Sequence, residues 1–326
     1  MSAPPLSVVL VTPDTYARLR KTIAFLMRQT ARASLEVVIV SPAPLPDAAH
    51  AAAAGFAAVR FLEIGPFRDT GHPRAEGALH CAAPIVAFGE DHCFPGPEWA
   101  ERLIELHGSG WDAVAPAMTN GNPGPVSWAD FLLNFGTFSG LLADQDVRYT
   151  PWHNTSYKRD LLCAFGERLA HMLEAEIRIQ EHMAQHGRKL FLAGATTVHH
   201  VNLSRWASYM TCQFVGGRLY GAARGEACGW TASRRFLYTL LLPLIPVRRA
   251  PDVIRNARRA MQDGLTPVFW LACVCGLLAS ALGEVTGYAF GQGAAGRLRL
   301  TYEFERNRHI LPQDRTHLLW AESMTA

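Results

Sequence analysis

No Gly-x-Gly-x-x-Gly and no Gly-x-x-x-x-Gly-Lys follows the first apolar run of this chain, so a dinucleotide fold and a phosphate loop both lack their signature. Charge of one sign is also scarce. A net +3 over 326 residues leaves too little positive potential for general nucleic-acid binding. Seven cysteines, odd in number and without a repeated spacing, argue against a disulfide framework and fit a reducing compartment. Cys273-Val274-Cys275 sits in an apolar run with no neighbouring histidine, so it reads as buried thiols rather than a zinc site. The first five residues lack a basic start followed by a long apolar core, and no signal peptide is expected. Internal repeats and low-complexity tracts are absent too.

What is present is an alternation of strands and helices. With 49% hydrophobic residues the chain can bury one large core plus an appendage. Residues 7–11 and 36–40 are short β-branched runs of the kind that become central parallel strands. Between them Tyr16, Leu19, Ile23, Leu26 and Met27 recur at helical spacing, and Thr12 or Asp14 can cap that helix. Strand, helix, strand implies a right-handed crossover. An Ala-rich helix over 48–54, strands over 59–64, 112–116, 190–193 and 196–200, and an aromatic helix over 128–142 complete the pattern. The loop 120–125 is turn-rich and reads as a mobile lid. Asp144-Gln145-Asp146 reads as a solvated turn.

The densest chemistry lies at residues 83–99. An apolar run ends in Glu90-Asp91-His92, followed by a Pro/Gly loop and a new helix over 98–106. In open α/β sheets ligands sit beyond the carboxyl ends of strands. Two carboxylates and an imidazole there suit a Mg²⁺ or Mn²⁺ that also holds phosphate oxygens; the bland reading is a capped strand end with solvated acids.

Outward from Glu90, the chain resembles the family 2 glycosyltransferases. The resemblance rests on an ordered set: the turn Thr12-Pro13-Asp14 after the first strand, Pro73-Arg74-Ala75-Glu76-Gly77, and Glu90-Asp91-His92 in the place of the family's DXD motif. Asn154 to Arg159, Glu174-Ala175-Glu176 leading to Gly187-Arg188-Lys189-Leu190, and His200-Val201-Asn202 follow in order. Two positions depart from the family: Ser41-Pro42 replaces the acid pair that grips base and ribose, and His92 replaces a third acid.

The resemblance implies a GT-A fold, an α/β Rossmann-like, mostly parallel sheet flanked by helices, over residues 1–205. It implies a nucleotide-sugar donor, a hydroxyl acceptor such as a lipid-linked one, and inversion at the anomeric carbon. Asp91 is the leading metal ligand for Mn²⁺ or Mg²⁺. His92 joins it directly or through its ring hydrogen bond, and His200 is a further candidate with a structural role as its other reading. Thr12, Pro13, Asp14, Arg74 and Glu90 would contact the donor. Glu176 falls on the usual base, and Glu174, two residues away, should point elsewhere. Arg205 and Arg218 are candidates for an acceptor phosphate or a membrane surface. A nucleotidyltransferase would need a Gly-rich basic loop that residues 11–14 lack. A non-catalytic sugar-nucleotide-binding or scaffold protein with a degenerate site is the alternative.

Residues 206–326 read as a helical, partly apolar region. The apolar runs 236–247 and 267–290 flank a basic helix over 252–262, and Glu284 interrupts the second run. Such a pattern suits attachment to an anionic membrane, here expected at the cytoplasmic face of the inner membrane, or two core helices of a soluble subdomain.

Overall fold

The structure is a computed structural model. It describes residues 3–45, 55–140, 142–151, 153–261 and 264–318. The helix expected over 48–54 lies outside these residues, as do Leu141 and Gln262 at or near the ends of two other expected helices.

Among the described residues nine strands form one sheet: β1 (Leu6–Val11), β2 (Leu35–Ser41), β3 (Ala58–Glu63), β4 (Ile85–Phe88), β5 (Cys93–Pro95), β6 (Ala113–Asn120), β7 (Gln145–Val147), β8 (Ser156–Lys158) and β9 (Leu190–His200). Their order is β3-β2-β1-β4-β8-β6-β9-β5, with β7 also on β9. Strands β1 to β4 are mutually parallel. β8 runs antiparallel to both β4 and β6, so β6 and its parallel neighbour β9 point the same way as β1. The short β5, β7 and β8 run opposite. The fold is therefore α/β with a mostly parallel sheet.

Side-chain alternation in β1 and β2 explains the layers. Leu6, Val8, Leu10, Leu35, Val37 and Ile39 enter one core with Ile23, Leu26 and Leu103. Val9, Val11, Val38 and Val40 enter another with Ala75, Ala78, Leu173 and Ile179. Helices Arg20–Met27 and Trp99–Gly108 thus cover one face, and Gly71–Leu79 with Ile177–Gln185 covers the other. Both faces being dry, the strands read as continuous apolar runs.

Several local expectations are corrected. Thr12 and Asp14 do not cap Arg20–Met27: Thr12 Oγ1 donates to the Thr15 carbonyl, Asp14 accepts from Thr15 N, and a 3₁₀ turn over Tyr16–Arg18 intervenes. Residues 145–147 are a strand, because they pair antiparallel with the first residues of β9, Leu190 to Leu192. Residues 190–200 form one strand, whose register against β6 shifts between Pro116 and Ala117. The aromatic helix is Pro125–Phe135, starting earlier on a proline at its first turn. The loop before it is fastened rather than lid-like, since Asn122 and Asn202 exchange side-chain to backbone hydrogen bonds of 3.1 and 2.7 Å.

Beyond residue 205 come Trp206–Ala227, Ala232–Leu240, Leu244–Ala260, Pro267–Phe290 and Ala295–Phe304, then short turns to Leu318. The run 236–247 is two helices, and the basic helix begins at Leu244. Trp206–Ala227 and Pro267–Phe290 touch backbone to backbone. A Cβ on Gly217 would lie 2.2 Å from the Ser280 carbonyl oxygen, and one on Gly283 would lie 2.1 Å from that of Phe214. Tyr209, Val253, Phe269 and Leu277 share a core cluster with Leu6 and Leu103, so buried packing crosses the 205/206 boundary.

Candidate functional site

β4 ends at Phe88 beside β1, and Gly89 lets the chain pass close over β1; a Cβ there would meet Leu10 Cδ2 at 2.7 Å. Glu90, Asp91 and His92 follow, each at most 5% exposed. β5 then pairs with the end of β9 so that Cys93 stands opposite His200. The sheet thereby brings together acids and imidazoles more than a hundred residues apart in sequence. Asn154, just before β8, donates to Glu90 Oε2 at 2.9 Å.

Two arginines and a third acid complete the cluster. Arg74, buried on Gly71–Leu79, places Nη2 3.4 Å from Glu90 Oε1 and 2.6 Å from Glu303 Oε1. Arg306 donates to His92 Nε2 at 2.8 Å, while His92 Nδ1 meets Asp91 Oδ1 at 2.7 Å. The His92 and His200 rings stand edge to face 4.9 Å apart. Burial, then the neighbouring Glu303 charge, pushes Glu90 well above the usual carboxylate range. Burial also opposes ionisation of Glu303, yet the His153 ring, the Glu90 hydrogen bond and Arg74 hold it well below that range. The two carboxyls interact, and the second ionises against the charge of the first. Burial pushes Asp91 up to about 7, against the pull of Arg18 and Arg306. Burial first, with Arg306 adding, keeps His92 and His200 neutral.

Glu176 is also fully buried. Its Oε1 accepts from the His153 backbone N at 2.7 Å and meets His153 Nδ1 at 3.1 Å, while Oε2 has no hydrogen-bond partner. The far side of the His153 ring lies 3.8 Å from Glu303 Oε1. His153 is the non-glycine residue with positive φ, 51°, among those described, a conformation that costs energy and that clusters at functional sites. A chain of contacts thus runs Glu176, His153, Glu303, Arg74, Glu90. Glu174 points elsewhere: it pairs with Arg178 at 3.4 Å and accepts from Gln292 at 3.3 Å.

The remaining sequence candidates lie around this centre. Thr12 is buried at the end of β1, Pro13 is half-buried, and exposed Asp14 pairs with Arg18 at 2.6 Å. Arg18 in turn donates to the Phe304 carbonyl at 2.8 Å, which ties the first turn to the C-terminal segment. Ser41 Oγ donates to the Ala43 carbonyl. Arg205 and Arg218 are committed to the carbonyls of Ile310 and Gly291. Trp99, at the start of the helix that follows the acid cluster, belongs to the core and is not among these candidates. Glu303, Arg306 and His153 were not legible as site residues. The first two lie in the region read as membrane-facing, over a hundred residues beyond Glu176, where no local pattern reports a long-range contact.

Among the described residues two donor sets converge enough to hold a metal ion, and Asp91, the expected leading ligand, belongs to neither because its carboxylate is turned to His92 Nδ1. Glu90, His92, Cys93 and His200 form one, and Glu90, His153 and Glu303 form the other, with ligand atoms in each set within 4.8 Å of one another. The first mixes oxygen, imidazole and thiol, which suits a transition ion better than Mg²⁺, whose preference is a nearly all-oxygen octahedron. A cation at His92 Nε2 has to displace the Arg306 guanidinium. Among known proteins, no family model and no curated sequence matches this chain.

Proposed function

We propose that this chain is an inverting glycosyltransferase with a GT-A fold, moving a sugar from a nucleotide-diphosphate donor to a hydroxyl acceptor. The observation that carries the reading is convergence: Arg74, Glu90-Asp91-His92, Asn154, Glu176 and His200, dispersed over the chain, meet at the carboxyl ends of β1 and β4. The donor diphosphate would lie against Arg74 and the Glu90-Asp91-His92 turn, with Thr12, Pro13 and Asp14 toward the nucleoside. A divalent cation held by Glu90, His92 and His200 would neutralise charge on the leaving diphosphate, with Asp91 on the far ring nitrogen of His92 orienting that ligand. Of Mn²⁺ and Mg²⁺, the imidazoles favour Mn²⁺.

Glu176 has the features of a general base. Its Oε1 is anchored by His153, and its unpartnered, buried Oε2 would take the acceptor hydroxyl's proton as that oxygen attacks the anomeric carbon in line, once the cover over the site opens. Glu303 and Arg306 close the site, so donor entry requires the segment after residue 302 to swing away. That closure also favours a second reading, a scaffold in which the two arginines permanently neutralise the acids.

The two readings separate in one experiment. A panel of nucleotide sugars is screened with Mn²⁺ by thermal shift, and donors that stabilise are assayed for hydrolysis and transfer. Catalysis predicts a donor that at about 100 times its Kd adds ~2.7 kcal/mol of stability, with turnover abolished in Asp91→Asn and by chelator. Wild-type turnover in that variant removes Asp91 from the site, and the absence of any turnover with a bound donor supports the scaffold.

A further inference from the structure

Helix Pro267–Phe290 has two unlike sides. One is closed against Trp206–Ala227, where Gly217, Gly221, Gly283 and Gly287 allow backbone contact, and buried Glu284 lies 3.6 Å from Arg224 and accepts from Tyr288. On the other side Val268, Leu271, Val274, Leu278 and Leu282 recur every three or four residues, and each is at least half exposed. The two preceding helices continue this surface and pack on the same helix. Phe236 and Leu240 on Ala232–Leu240, and Leu244 and Val247 on Leu244–Ala260, are 57–67% exposed. A contiguous apolar face of this kind on a soluble monomer marks an interaction surface.

Charge identifies the partner. Residues 232–260 contain seven arginines and one acid, Asp252. Arg249 and Arg259 are held by the carbonyls of Leu133 and Gly136, but Arg234, Arg248, Arg255 and Arg258 are exposed. A second copy docking on this face would bring that positive charge against its own equivalent, whereas an anionic lipid surface complements it.

Topology fixes the geometry. Pro267–Phe290 is the one helix among the described residues long and apolar enough to cross a bilayer. Arg74 and His92 precede it, Glu303 and Arg306 follow it, and the two pairs meet at 2.6 and 2.8 Å. A single crossing would hold them about 30 Å apart on opposite sides of the hydrocarbon.

We infer that this chain is monotopic: Ala232–Leu240, Leu244–Ala260 and Pro267–Phe290 lie in the plane of one leaflet of an anionic bilayer, apolar rows inward, without crossing it. Helix Pro125–Phe135 packs on the same helix, and its Phe135 ring lies 4.6 Å from His200, so the docked face is one helix away from the acid cluster. The inference goes beyond the glycosyl-transfer reading and does not depend on it, since lipid binding is measured without donor or acceptor.

The test is flotation of the full chain with sealed vesicles of phosphatidylcholine, with and without phosphatidylglycerol. Phosphatidylglycerol should raise the bound fraction roughly tenfold, and about 1 M salt should release part of it, because screening removes the arginine contribution and leaves apolar burial. Leu271→Glu with Leu278→Glu should abolish flotation at low salt. Both positions face outward, so circular dichroism and thermal midpoint in buffer should stay as in wild type. Arg248→Glu with Arg255→Glu should abolish the phosphatidylglycerol dependence. Protease added outside wild-type vesicles should reach residues beyond 290. A protected C-terminal fragment would show a spanning helix and overturn the inference. So would a monodisperse monomer that ignores vesicles, or a detergent-free dimer that Leu271→Glu dissociates.

Discussion

Two glutamates two positions apart meet different fates. Glu176 shares hydrogen bonds with His153 inside the acid cluster, and Glu174 pairs with Arg178 outside it. On the glycosyl-transfer reading, Glu176→Gln should leave donor binding near wild type and slow transfer by about 10² or more, the scale of a lost general base. Glu174→Gln should instead cost about 1–3 kcal/mol of stability, because Arg178 loses a buried partner, with transfer by the folded fraction unchanged. Single-turnover rates and urea midpoints of the two variants check this, and a catalytic defect in Glu174→Gln would exchange their roles. His107 makes a pH prediction. It is buried on Trp99–Gly108, 2.8 Å from Ser156 Oγ, and burial pushes its pKa down to about 4 although the Trp111 carbonyl pulls it up. Below the ordinary histidine value of 6.5 the unfolded chain takes a proton that the folded ring refuses. Its contribution is therefore complete above that value and is lost as pH falls toward about 4. His107→Gln should reduce the slope of stability against pH in that window, by up to about 3 kcal/mol across it, read from urea midpoints.

At the scale of elements, the strands were legible where both faces are dry. β1 and β2 are unbroken apolar runs, and their residues divide between two cores by simple alternation. Boundaries were less legible wherever a partner decides them. β7 exists because β9 supplies hydrogen bonds, and nothing in Asp144-Gln145-Asp146 announces that partner. The glycines of the long C-terminal helices are the contact surface between them. Gly283→Ala should cost about 1–3 kcal/mol or more, since the methyl would lie on the Phe214 carbonyl oxygen. Leu278→Ala, on the exposed side of the same helix, should stay within about 0.5 kcal/mol in detergent-free buffer. Equal losses in a denaturant titration would show that the outward side is packed.

Across the whole molecule, the C-terminal segment is both cover and contributor. Arg18 holds it at Phe304, Arg205 holds it at Ile310, and Leu318 packs with Phe94, Val201 and Ile310. Substituting Arg18 and Arg205 together by alanine should loosen this cover, while also removing the Arg18 charge that draws on Asp91. Amide exchange over residues 89–93 is then expected to accelerate roughly tenfold or more, with a smaller change at β1 and β2, as expected of local opening below the global barrier. Uniform acceleration across the sheet would mean that the segment is part of the cooperative core and not a separable cover.

The amino-acid sequence alone determined the alternation of strands and helices, the position of Glu90-Asp91-His92 at a strand end, and the apolar and basic character of residues 236–290. Each of these is periodicity or local chemistry, set within a few residues. Only the tertiary structure decided that Glu303 and Arg306 enter the cluster, that His153 links Glu176 to it, and that Pro267–Phe290 has one buried and one open side. Those depend on contacts between residues far apart in the chain. Burial of a charge beside a distant counter-charge leaves no periodic mark on either segment, so it becomes visible only once the chain has folded.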